Sequence, residues 1–322
     1  MDRSALAALG LLVSASGQGA CLAADCRSSL AELRAALETA DPSVAAAKLA
    51  ALDPCGAAYV RQGQLAVAML YVRQASPLTG NEARRPEYRM LVEKAAAYHA
   101  SWEASWRLAE LQRTARDYRE AATSFQEAID LLATDSSGSS TAEARKRRDE
   151  AATFLMRSAD EMRSLAAGSP DGVRNGEFVA ASTDRRDGSF AGVYNAAFER
   201  GLSAEKVPAP ITFLFDSDRF DDVGRKAAAE IVELFKARRP SRIHVVGYTD
   251  QKGTAEYNVA LSLRRARAVQ ALLQAELSRA GIDAAISSEG RGKVRRQLSD
   301  PSIYSAEQID QLDRRVEFDW SR

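Results

Sequence analysis

The feature that most constrains this chain is a stretch near its carboxy-terminal third, Ile243 to Val269, IHVVGYTDQKGTAEYNVALSLRRARAV. Ile243 to Val246 is short, apolar and rich in β-branched residues, which reads as a buried strand. Gly247, Tyr248, Thr249 and Asp250 end the strand, and Gln251-Lys252-Gly253 turns the chain. Thr254 then stands where a helix needs its N-cap, and a helical pattern runs on to Leu277. An acid at the end of a strand therefore faces a helix carrying Asn258, Ser262, Arg264, Arg265 and Arg267. Asn258 and Arg265 are seven residues apart, two helical turns, and share one face. Leu261, Ala268 and Leu272 border that face and are expected to hold the helix to a sheet. By spacing alone, Asp250 and Arg265 fit either a ligand site or an ion pair tying loop to helix.

The surrounding sequence alternates between strand and helix. Ile211 to Phe215, ITFLF, is expected as a strand between Pro210 and the acidic turn Asp216-Ser217-Asp218. Asp222 to Arg238 reads as an amphipathic helix with Ala227, Ile231, Leu234 and Phe235 on its apolar face. Ala285 to Ser288 and Arg315 to Trp320 read as two further strands, and Leu298 to Leu312 as a loop with a short helix. This predicts an α/β domain over residues 207–322.

The first half has a different period. From about Arg27 to Leu165, Ala and Leu recur at helical spacing, with Asp41-Pro42 and Asp53-Pro54 placed as cap-plus-first-turn starts. Helices are expected over Ala57–Ala75, Pro86–Ala100 and Thr141–Ala166, with a loop at Asp135–Ser140. Within Trp106 to Leu131, the offsets of Leu108, Ala109, Tyr118, Ala121, Phe125 and Ala128 resemble a tetratricopeptide repeat. A generic helical bundle is the alternative, and either would serve to dock a protein partner. Trp102 and Trp106, one turn apart, are expected to pack into the core. Residues 167–206 are rich in Gly, Ser and charge and read as a linker, with an extended element at Phe178-Val179 and a short helix over Ala191–Leu202.

Composition narrows the class. Lys plus Arg and Asp plus Glu both total 44 in 322 residues, a balance without the basic footprint of a nucleic-acid binder. Residues 4–24 carry no charge and end in small residues, which predicts a signal peptide over 1–24. The rival is an uncleaved membrane anchor, since this stretch is just long enough to span a bilayer. Cleavage before Asp25 removes Cys21 and leaves Cys26 and Cys55, an even pair in an exported chain and hence an expected disulfide. Two reduced, buried cysteines are the alternative.

The line GYTDQKGTAEYNVALSLRRARAV resembles the signature of the OmpA-like peptidoglycan-binding family. So do FLFDSDRF (residues 213–220), the glycines Gly290 and Gly292, and the closing RRVEF of Arg314–Phe318. The resemblance covers about residues 207–322 and implies an OmpA-like α/β sandwich behind the helical, tetratricopeptide-like domain of residues 25–166. It also implies non-covalent binding to peptidoglycan through the diaminopimelate side chain of the stem peptide, whose free end carries an ammonium and a carboxylate. Asp250 matches the family's acid and would take the ammonium; Arg265 matches its arginine and would take the carboxylate with a planar fork of donors. Asn258 matches the family's helix-start asparagine, either bonding the ligand or fixing the loop that carries Asp250. Thr249 and Arg315 complete the implied ligand-binding set. Tyr248 stands where many members have histidine. Asp313 stands where asparagine is common, so it could satisfy Arg314 or Arg315 internally.

No catalytic pattern emerges: there is no G-x-S-x-G elbow, no H-E-x-x-H, no Walker-type loop and no close metal-ligand spacing. His244 inside a strand and His99 near a helix end read as structural. The basic run Arg291, Lys293, Arg295, Arg296 reads as a solvated loop. The expected function is thus a non-catalytic envelope protein of the periplasm, without cofactor or metal and with possible outer-membrane association. Its expected partners are peptidoglycan and a protein docked on the helical half. The alternatives are a stator-like or secretion-machine component held by an uncleaved first helix, or an envelope enzyme whose active site follows no familiar pattern.

Overall fold

In the computed structural model, residues 24–134, 141–167, 207–209, 211–214 and 216–321 are described. The expected signal peptide apart from Ala24, the Asp135–Ser140 loop and nearly all of the linker, including the elements at Phe178-Val179 and Ala191–Leu202, lie outside them. By packing, the chain divides into two compact units. One comprises residues up to Leu111 together with Thr134–Ala142; the other comprises Gln112–Ala133 and Glu143–Arg322.

The first unit is helical: α1 (Ala24–Glu38), α2 (Pro42–Ala46), a 3-10 helix (Leu49–Cys55), α3 (Ala57–Ala75), α4 (Arg85–Ala96) and most of α5 (Trp102–Ala115). Asp41 caps α2 as expected, its carboxylate accepting from the Ser43 and Val44 N–H groups. Asp53-Pro54 does not start a helix. Pro54 lies inside the 3-10 helix, and Gly56, at φ 93°, breaks the chain before α3 begins at Ala57. Helix α4 ends at Ala96, four residues before the expected end at Ala100, because His99 takes a left-handed conformation at φ 50°. Leu33, Leu52, Val67, Leu70, Val92 and Ala95 form one apolar core. Cys26 and Cys55 are joined by a disulfide across a separation of 29 residues. Trp102 and Trp106 are part-buried and stack on each other at 6.4 Å. Among the described residues, no helix is long and apolar enough to cross a membrane.

The second unit contains α6 (Tyr118–Thr134), α7 (Ala142–Ala167) and a four-stranded mixed sheet with its helices. Ala121, Phe125 and Ala128 on α6 are completely buried. Arg148 of α7 donates to the Leu132 and Ala133 carbonyls at 3.3 and 2.9 Å, satisfying the end of α6. The sheet order is β1-β4-β2-β3, with β1 Val207–Ala209, β2 Arg242–Gly247, β3 Ala285–Gly290 and β4 Val316–Ser321. Strands β2 and β3 are parallel, while β4 runs antiparallel to both β1 and β2. Helices α8 (Asp222–Arg238), α9 (Ala255–Arg279) and α10 (Ala306–Asp313) complete the unit.

The expected first strand is displaced. Val207–Ala209 forms it instead, with Pro208 tolerated because β1 is an edge strand. Of the Ile211–Phe215 segment, only Phe213 makes a bridge among the described residues, to Phe220. Beside that bridge, Leu214 N–H donates to Arg219 O. The Thr212 hydroxyl also donates to the carboxylate of Asp221, the N-cap of α8. Ile211 is buried in the core, whereas Phe213 is part-buried and Leu214 is exposed.

Helix α9 lies against the β2–β3 pair. At Gly247 an added Cβ would sit 2.3 Å from the Ser262 carbonyl oxygen, so only glycine lets the helix backbone approach the strand end this closely. Ile231, Leu234, Phe235, Ile243, Val245, Leu273 and Phe318 fill the space around the sheet. Phe235 and Phe318 meet edge to face at 5.7 Å.

Candidate functional site

The site is built at the carboxyl end of β2, where the chain leaves the sheet and turns into α9. Thr254 caps α9 by accepting from Tyr257 N–H at 3.2 Å. Asn258, one turn in, is buried, and its Nδ2 donates to the Lys252 and Thr254 carbonyls at 2.6 and 2.8 Å. These two bonds tie the start of α9 to the loop that carries Asp250. Thr249 is buried too; its N–H donates to Gly292 O at 2.9 Å and its hydroxyl to Asp250 O at 3.1 Å. These contacts fix the backbone on which Asp250 is carried.

Asp250 is held from two sides. One oxygen accepts from Lys252 N–H at 3.1 Å, and the other pairs with Arg314 Nη1 at 2.8 Å. Its ion pair is therefore with Arg314, at the end of α10, and not with Arg265.

Arg265 is 7% exposed. Its Nε donates to Ser217 O at 2.9 Å, and its guanidinium lies 5.0 Å from the centre of the Phe213 ring. Burial, reinforced by the like charge of Arg314, lowers its pKa, while Asp250 and Asp216 oppose the shift. The FLFDSDRF stretch thus contributes a carbonyl and a ring that hold this arginine in place. Arg264 and Arg267 on the same helix are exposed.

Arg265 also lines a cavity of about 420 Å³, together with Phe213, Tyr248, Arg314, Arg315 and, from α7, Ser164. Arg315 is locked: its Nε donates to Glu317 at 2.7 Å, its Nη1 reaches the Val294 and Asp313 carbonyls, and its plane lies 3.8 Å from the centre of the Tyr248 ring. Tyr248 donates its hydroxyl to the other Glu317 oxygen at 2.9 Å. Burial first, then the Glu317 charge, pushes the Tyr248 pKa up to about 12. Three guanidinium groups on one cavity can receive an anion, and a carboxylate beside them can receive a cation.

Sequence reasoning placed Asp250, Thr249, Asn258 and Arg265 around one loop, and the fold brings them there. Arg315 lines the same cavity, committed to Glu317 and Tyr248. Arg314 as the partner of Asp250 was missed; the only signal was its place in the paired-arginine landmark. Asp313 does not satisfy either arginine through its carboxylate. That group accepts from Arg296 N–H at 2.8 Å and pairs with Arg295 at 3.5 Å. The basic run is also not a solvated loop throughout: Arg291 pairs with Glu289, and Arg296, whose side chain is 6% exposed, pairs with Asp160 of α7. His244 bridges Ser287 and Glu289 across the β2–β3 pair. Among the described residues, no group of three or more His, Cys, Asp or Glu is placed to hold a metal ion.

Residues 212–309 match the OmpA family. Among solved structures, the OmpA-like domain of FopA1 from Francisella tularensis subsp. tularensis SCHU S4 is similar at 24% identity. The match covers 36% of this chain and 74% of that one, with a TM-score of 0.27. The cell wall anchor of the T6SS from Pseudomonas aeruginosa is similar at 24% identity, over 36% of this chain and 80% of that one, with the same TM-score of 0.27. No curated protein matches the chain. The family match, and not these structural likenesses, identifies the domain.

Proposed function

Since residues 212–309 form an OmpA family domain, we propose that this chain is a non-catalytic protein of the cell envelope that binds peptidoglycan without a covalent bond. The ligand is the diaminopimelate side chain of the stem peptide. Asp250 takes its ammonium and Arg265 its carboxylate, with Arg265 supplying the two parallel donors that lysine lacks. Asn258 and Thr249 act through the loop, and Arg315 shapes the wall of the cavity. The helical amino-terminal half docks a protein partner or spaces it from the wall, and the chain works in the periplasm.

The observation that carries this reading is the placement of Arg265. A guanidinium held by Ser217 O and the Phe213 ring lines an open cavity, while an acid fixed on the neighbouring loop offers the opposite pole. A preorganised pair of this kind loses little freedom when a zwitterion arrives. Each charge-assisted hydrogen bond contributes about 1.5–3 kcal/mol, so one site binds modestly and repeated sites on the wall supply avidity.

Retention on isolated sacculi tests the reading. Asp250→Ala and Arg265→Ala, each shown to be folded, are expected to reduce binding about tenfold or more. Unchanged retention of both would remove the clamp.

A further inference from the structure

The three arginines on the cavity are not held alike. Arg265 is 7% exposed and Arg315 is 6% exposed, and each is fixed by backbone carbonyls and an aromatic ring. The Arg314 side chain is 41% exposed and makes its hydrogen bond to Asp250. It follows α10 directly, as the C-cap residue, with its backbone outside the helical region. Arg314 is thus the guanidinium of the three that can leave its place without opening the core.

Its position has a chemical consequence. Arg314 lines the cavity and at the same time puts a cation on the oxygen of Asp250 that a ligand ammonium would seek. Resting on the zwitterion reading above, we propose that Arg314 is an intramolecular stand-in for the ligand ammonium and sets the specificity of the site. A ligand bearing ammonium alone must displace Arg314 and leaves it without an acid. A zwitterion exchanges partners: its ammonium replaces Arg314 on Asp250, and its carboxylate accepts the released Arg314 beside Arg265. One ion pair opens and three form, two of them on the ligand carboxylate, so the exchange favours a ligand that carries both charges over one that carries the cation only.

The test uses the full chain and two purified stem peptides that differ only in the diaminopimelate carboxylate, free in one and amidated in the other. Wild type is expected to prefer the free acid. Arg314→Gln is expected to bind the amidated peptide more tightly than wild type does, and so to narrow the preference on the order of fivefold, the worth of one exposed ion pair. A preference that is unchanged or widened, or a parallel loss for both peptides, overturns the proposal. In wild-type protein, the Arg314 Nε–H nuclear resonance is expected to shift with the free-acid peptide; a resonance that stays in place at saturation also overturns it. Asp250→Ala separates the two levels of the argument. If that variant binds the free-acid peptide as well as wild type, the zwitterion clamp itself fails; if it loses binding while the Arg314→Gln preference is unchanged, only the role of Arg314 fails.

Discussion

The two units bury different chemistry. In the first, the buried side chains among the described residues are apolar apart from Ser101 and Ser105, and a disulfide closes the chain between α1 and the 3-10 helix. In the second, the buried set includes Arg113, Asp160, Glu161, Arg163, Arg265, Asp313 and Arg315. Part of that set holds α7 to the loop between β3 and α10. Arg296 pairs with Asp160, Glu161 accepts from Ser299 N–H, the Ser299 hydroxyl and the Tyr304 hydroxyl, and Gln311 donates to Ser164 O. An apolar core tolerates loss of one contact in proportion to the volume removed. A buried charge network fails more abruptly, because removing one member leaves another desolvated without compensation.

That contrast sets the order of expected effects. Arg296→Ala should be the most damaging, since it leaves the buried Asp160 without its Arg296 partner; burial already raises the Asp160 pKa, opposed chiefly by Arg296 and then Arg163. A loss of about 3 kcal/mol or more is expected for the second unit, measured by denaturant unfolding, with substantial recovery when Asp160→Asn is added. Little change would mean that the network contributes no more than a surface pair. Next comes the first unit, where the paired Cys26→Ser and Cys55→Ser substitutions should cost about 2–4 kcal/mol and reductant should do the same to wild type. If this loss exceeds that of Arg296→Ala, the contrast between the units is inverted.

The smallest effect is set by pH. Tyr248 has its pKa raised to about 12 in the folded chain, against an ordinary value of 10.0. Through that window the folded state keeps a proton that the unfolded chain has lost, so the stability of the second unit is undiminished below pH about 10 and falls as pH rises toward 12. The slope amounts to a change on the order of 2 kcal/mol, and Tyr248→Phe should flatten it in alkaline unfolding curves. A Tyr248→Phe variant with the same alkaline slope would show that Glu317 and burial do not perturb this hydroxyl.

The legible parts of the fold are those decided within a few residues. The Asp222–Arg238 helix, the Thr254 cap and the β2 strand follow from periodicity and capping chemistry, and all appear where those signals lie. The Ile211–Phe215 segment misled because a short apolar run permits a strand without requiring one. The paired arginines were visible as a motif, yet which acid each one meets was not. Arg314 and Asp250 are 64 residues apart in the chain, and Arg296 and Asp160 are 136 apart.

By itself, then, the sequence determined a helical first half, a strand-turn-helix carrying Asp250, Asn258 and Arg265, and the family of residues 212–309. Tertiary structure alone decided that α7 packs with the sheet-bearing unit, that Arg265 is held by Ser217 and Phe213, and that Arg314 occupies Asp250. The physical reason is range. Backbone propensity and capping act over one or two turns, whereas a charge buried or half-buried in a fold takes whichever opposite charge the packing delivers to it.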